Sequence, residues 1–71
     1  MISNHAMDMW NRYCKESGET YDSVYKDKEK IQAFRDWYNP IMSSVVMVNS
    51  LYDEYMNSYI SILKYIGDYD E

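Results

Sequence analysis

A single cysteine, Cys14, excludes an internal disulfide, and with His5 as the only histidine the chain has no Cys/His cluster for structural zinc. One proline and two glycines leave few interruptions for helices, and β-branched residues hardly ever run together outside Val45-Val46. Leucine, the usual helical core residue, occurs only at positions 51 and 63. Basic residues are scarce in one half: residues 37–71 contain Lys64 alone against Asp53, Glu54, Asp68, Asp70 and Glu71. No glycine-rich phosphate loop, nucleophile elbow or metal motif occurs, so catalysis is not expected and no cofactor is implied.

Each absence narrows the class. A 71-residue chain supports one domain, and a core of this size contributes roughly 3–5 kcal/mol without a covalent or metal staple. Self-association or a partner protein is the remaining source of stability. The net charge of −5 disfavours nonspecific binding to nucleic acid or anionic membrane, because phosphate contacts require Lys and Arg. No apolar secretion segment is visible near Ser3, Asn4 and His5. The 41–63 stretch is interrupted by Asn49, Asp53, Glu54 and Asn57, which rules out a bilayer span. A cytoplasmic location, that of the host if the protein is viral, is the expectation.

What the chain does have is aromatic mass and helical periodicity. Aromatics make up 17% of the sequence, with nine tyrosines. Tyrosine suits an interface better than a core, since its ring is apolar and its hydroxyl needs a partner. A competing reading is coding bias: abundant Tyr, Asn, Lys, Ile, Met and Asp point to an AT-rich genome. Ile41, Val45, Val48, Tyr52, Tyr55, Tyr59, Ile62 and Ile66 recur at alternating spacings of four and three, the a and d seam of a heptad. Ser43, Ser50, Asn57 and Lys64 fall every seven residues on the outer side.

The pattern predicts an all-α single domain over 1–71 with three helices, at about 4–17, 20–38 and 40–66, the last one long and the assembly a dimeric bundle. Ser3 or Asn4 caps the first helix and Gly18 ends it. Met7, Trp10 and Cys14 form its apolar edge. Thr20 caps the second helix, whose face carries Val24, Ile31, Phe34 and Tyr38; a break with a restart capped by Asp27 is an alternative. Asn39-Pro40 reads as the start of the third helix, with Asn as cap and Pro at the first position. Gly67 terminates that helix, and 67–71 form a frayed acidic tail.

Length then carries the functional expectation. A helix over 40–66 extends about 40 Å, against a diameter of about 29 Å for a compact domain of this size. Its distal part should overhang and present Tyr52, Tyr55, Met56, Tyr59, Ile62 and Leu63 to a partner. A homodimer and a groove on a host protein are the two candidate occupants. The favoured function is an acidic helical protein–protein interaction module, a virus- or mobile-element-type accessory protein that inhibits or redirects a host protein. One alternative is a nucleic-acid mimic that uses Asp53, Glu54, Asp68, Asp70 and Glu71 as its acidic patch. A second is a DNA-binding regulator using Lys26, Lys28, Lys30 and Arg35, whose acidic neighbours Asp22, Asp27, Glu29 and Asp36 argue against it. His5 is read as solvated near a fraying end and Cys14 as a small buried hydrophobe, with a reactive thiol as its alternative.

Overall fold

Local capping chemistry fixes the first helix as the sequence predicts. In a computed structural model, which describes residues 3–68, helix α1 spans Asn4–Ser17. The Ser3 hydroxyl accepts the Ala6 amide at 3.1 Å, and Gly18 closes the helix in the left-handed region at φ 77°. A single turn, α2 (Tyr21–Val24), follows behind a reciprocal capping box. There the Thr20 amide donates to Ser23 Oγ at 2.9 Å, and the Ser23 amide donates to Thr20 Oγ1 at 3.2 Å. The helix expected over 20–38 is therefore interrupted, and the restart at Asp27 is the form adopted: its side chain accepts the Lys30 amide at 3.2 Å to open α3, Lys28–Val45.

The expected boundary at Asn39-Pro40 does not occur, because α3 runs straight through Pro40. Proline removes the amide that would bond the Asp36 carbonyl, and its ring crowds that carbonyl. Asp36, Asn39 and Pro40 all lie on the exposed side of α3, so water can satisfy the orphaned group. A solvent-facing proline is thus tolerated where a core-facing one would not be.

The long terminal helix is also corrected. Helix α3 ends at Val45, and after a turn at Val46–Val48 the chain resumes as α4, Asn49–Tyr65. Val46 keeps helical dihedrals (φ −61°, ψ −28°), whereas Val48 is extended (φ −116°, ψ 97°). One helix from residue 28 to 65 would be about 57 Å long; the molecule measures 33 × 27 × 19 Å. Bending returns α4 across α1 and α3, so the overhang that favoured a partner is not present in this form. Three β-branched residues among Val45–Val48 make this the weakest helical stretch of the seam.

The returning helix seals the core. Ala6, Met9, Trp10 and Tyr13 of α1 and Ile31, Phe34 and Tyr38 of α3 meet Tyr59, Ile62 and Leu63 of α4, with Val24 and Ile66 closing one end. Phe34 sits centrally, its ring centroid 5.2 Å from Tyr13, 5.8 Å from Trp10 and 5.6 Å from Tyr38. Such ring pairs contribute about 0.5–1.5 kcal/mol each beyond their buried area. Tyrosine serves as core because its hydroxyls find partners: that of buried Tyr38 donates to the Tyr55 carbonyl at 2.9 Å. Among the described residues no buried side-chain polar atom lacks a hydrogen bond.

Gly67 ends α4 as expected, at φ 82°. The Asp68 amide donates to the Leu63 carbonyl at 2.8 Å and that of Gly67 to Lys64 at 3.2 Å, a Schellman closure. A Cβ on Gly67 would stand 2.6 Å from Lys26 Cγ, so glycine is required by packing as well. Lys26, itself at φ 58°, donates its amide to the Ile66 carbonyl at 2.8 Å and fastens the α2–α3 turn to the end of α4. Asp68, expected in a frayed tail, is half-buried and ion-paired with Arg35. Asp70 and Glu71 lie outside the described residues.

Two outcomes are expected. Pro40→Ala restores a helical amide in α3 and should raise stability by about 1–3 kcal/mol in urea unfolding; a loss would mean that the proline shapes the helix for packing. Burial, followed by the nearby Tyr55 and Glu54, drives the Tyr38 phenol well above its ordinary value. The folded state therefore holds this proton more tightly than the unfolded chain, and stability is complete below pH about 10 and falls as pH rises beyond it. Tyr38→Phe should flatten that alkaline decline while costing about 1 kcal/mol at neutral pH, read from urea midpoints across a pH series.

Candidate functional site

The bend that completes the core leaves an apolar elbow outside it. Met47 at its apex is 90% exposed, and Val46, Val48 and Leu51 beside it are each about half exposed. These four are neighbours in sequence on the turn and on the first coil of α4. A cleft of about 270 Å³ adjoins them, lined by Asn39, Met42, Ser43, Val46 and Tyr52. Asp53 and Glu54 follow on exposed positions of α4, and residues 36–63 contain no Lys or Arg at all. This end of the molecule is accordingly apolar at its tip and acidic at its rim.

The residues that the heptad pattern assigns to a partner lie mostly elsewhere. Tyr59, Ile62 and Leu63 are buried in the chain's own core, and Tyr55 and Met56 are half-buried against it. Tyr52 alone of that set reaches the elbow cleft. Exposure along the seam grades from buried Ile66 to exposed Val48, which is the signature of a helix docked at its far end. The elbow was missed because the apolar circumference of 41–48 reads as burial on several sides. The signal that marks it is the β-branched cluster in a helix too long for the rest of the chain to cover.

His5 is not solvated as expected but half-buried, because α4 crosses the start of α1. Its Nδ1 lies 2.6 Å from Ser58 Oγ, its Nε2 is 3.9 Å from Glu54 Oε1, and its ring meets that of Tyr55 edge-on at 4.6 Å. Serine, histidine and carboxylate in one group resemble a hydrolytic triad in composition. Ser58 is only 2% exposed, however, so in this conformation a substrate carbonyl has no path to its hydroxyl. The group ties α1 to α4.

Other ionisable groups are committed to bracing. Glu19 accepts from Ser23 Oγ at 2.8 Å and from Lys30 Nζ at 3.0 Å, and these bonds hold its carboxyl below the usual range. The Trp37 indole and the Arg12 guanidinium do the same for Glu16. Burial, and then the charge of Glu19, pushes the Cys14 thiol up, which keeps it protonated at neutral pH and suits a packing role. With Lys30 paired to Glu19 and Arg35 to Asp68, the bases proposed for DNA contact do not form one open face. Asp68 is likewise withdrawn from the acidic patch, leaving Asp53 and Glu54 as its exposed members within the described residues. Among those residues no group of His, Cys, Asp and Glu could hold a metal ion, and no helix is long and apolar enough to cross a membrane.

If the elbow serves something other than folding, its side chains should be dispensable for stability. Met47→Ser is expected to change the unfolding free energy by less than about 0.5 kcal/mol, whereas Ile62→Ala should cost about 2–5 kcal/mol. Thermal and urea denaturation of the two variants checks this. No protein-family model, curated protein or solved structure matches the chain.

Proposed function

We propose that the chain is a small protein-binding module that docks through the α3–α4 elbow, inserting Met47, Val46, Val48 and Leu51 into an apolar socket on its partner. The observation that carries this reading is the 90% exposure of Met47 at the elbow: of the five exposed large hydrophobic residues among those described, four adjoin one another there and only Tyr25 lies elsewhere. Contiguous exposed apolar surface on a small protein marks a contact site far more often than isolated exposed residues do. Methionine suits such a tip, being unbranched, polarizable and able to fit an irregular pocket.

Charge specifies the socket. Asp53 and Glu54 stand beside the elbow without nearby sequence neighbours of positive charge, so the matching partner surface is apolar at its centre and carries Lys or Arg at its rim. The acidic rim selects the partner and speeds encounter; the apolar tip holds it. An accessory protein of viral or mobile-element type, inhibiting or redirecting a host protein, is the biological role this composition favours. The whole Tyr/Met face of α4 is not needed for it.

The test compares capture by the immobilised wild type, the Met47→Asp/Leu51→Asp double variant, and Ala33→Asp on an exposed part of α3. A partner retained by wild type and by Ala33→Asp should bind the elbow variant at least about tenfold more weakly, about 1.4 kcal/mol. Raising salt should reduce binding to the wild type modestly, through the rim. Equal capture by all three folded proteins would refute the elbow as the docking element.

A further inference from the structure

Nothing local to residues 45–49 requires the chain to turn there. Both glycines lie elsewhere, at 18 and 67, and the only proline sits inside α3. Helices α1, α2 and α3 each begin with a side-chain cap, from Ser3, Thr20 and Asp27, whereas α4 begins at Val48 with none. Val46 is already helical, and the departure is expressed at Val48, in a backbone region that valine shares freely with the helical one. The heptad seam from Ile41 to Ile66 runs through the turn in phase, as though the helix had not been interrupted. Local sequence therefore permits a continuous helix, weakened but not broken by the three valines, and the packing of α4 onto α1 and α3 imposes the elbow.

That packing does not require α4 to come from the same chain. We propose that two copies of this protein exchange α4, each elbow straightening so that α3 and α4 merge into one helix and each α4 completes the core of the other copy. Tyr59, Ile62 and Leu63 then form the interface between subunits while keeping the neighbours they have within the monomer. The His5–Ser58, Tyr38–Tyr55, Arg35–Asp68 and Lys26–Ile66 contacts become intermolecular without changing their geometry. The exchange adds what the monomer lacks: helical bonding through Val46–Val48, and cover for Val46, Met47, Val48 and Leu51 where the two straightened helices cross. Exchange of an identical element is a low-cost route to a dimer, opposed mainly by the entropy of association, so concentration decides between the forms. It also withdraws the elbow from docking, which makes the monomer the binding-competent form.

Two full-length variants test the exchange. One carries His5→Cys with Cys14→Ser, the other Glu54→Cys, at an exposed position 3.9 Å from His5 Nε2, with Cys14→Ser. The two are mixed, unfolded together, refolded at high protein concentration and treated with a short bis-maleimide. Exchange predicts a dimer in sedimentation whose two different chains are cross-linked through positions 5 and 54. The same pair with Gly-Ser-Gly-Ser inserted after Met47, a linker that lets α4 close on its own chain, should lose both the dimer and the cross-link. A single chain with both cysteines and the linker should cross-link internally, which establishes that the fold survives the changes. Dimers without the 5–54 link, or a monomer at every concentration, while the internal control succeeds, would overturn the proposal. Neither result would touch the docking reading, which is measured on the monomer.

Discussion

Burial of the apolar side of α4 against α1 and α3 is the interaction on which this structure depends. It bends the chain at the weakest helical stretch of the seam, because a straight rod would leave Tyr59, Ile62, Leu63 and Ile66 in water. Burying each such side chain is worth about 1.5–3 kcal/mol. Breaking a helix at one short turn forfeits a few backbone hydrogen bonds of about 1 kcal/mol each, and water replaces part of that loss. The packing term wins, and the exposed elbow is its by-product.

Five aromatic rings, Trp10, Tyr13, Phe34, Tyr38 and Tyr59, form the centre of the core that results. Phe34 joins Trp10 and Tyr13 of α1 to Tyr38 and Tyr59, so one side chain couples the three long helices. Tyrosine can occupy such positions only if each hydroxyl is answered, and Tyr38 is answered by the backbone of α4 itself. The hydrogen bond and the ring packing thus reinforce the same docking. A residue type that reads from sequence as interface is equally competent as core once a carbonyl lies within reach.

Ion pairs are arranged differently from the apolar contacts. Glu16, Glu19 and Asp68 pair with Arg12, Lys30 and Arg35 around the body of the molecule; the Arg12–Glu16 pair is exposed and contributes little to stability, while the other two are half-buried. Basic residues end at Arg35 and resume at Lys64. The elbow end consequently carries Asp53 and Glu54 with no Lys or Arg nearby in sequence, next to the apolar tip, and the proposed docking specificity rests on this coincidence.

The sequence by itself determined that the chain is helical, where most of its local caps lie though not the one expected at Asn39, and which residues share an apolar face. Ser3, Gly18, Asp27 and Gly67 act through bonds to residues within one turn, so their roles are legible without the fold. Pro40 was misread because its usual meaning assumes that the helix axis ends where an amide is missing, whereas a solvent-facing carbonyl at Asp36 tolerates the loss. The elbow and the burial of the tyrosines were decided only by tertiary structure. A heptad seam states which side chains share a face, but whether that face meets its own chain, a second copy or another protein depends on contacts between residues far apart in sequence, such as His5 with Ser58 and Tyr38 with Tyr55.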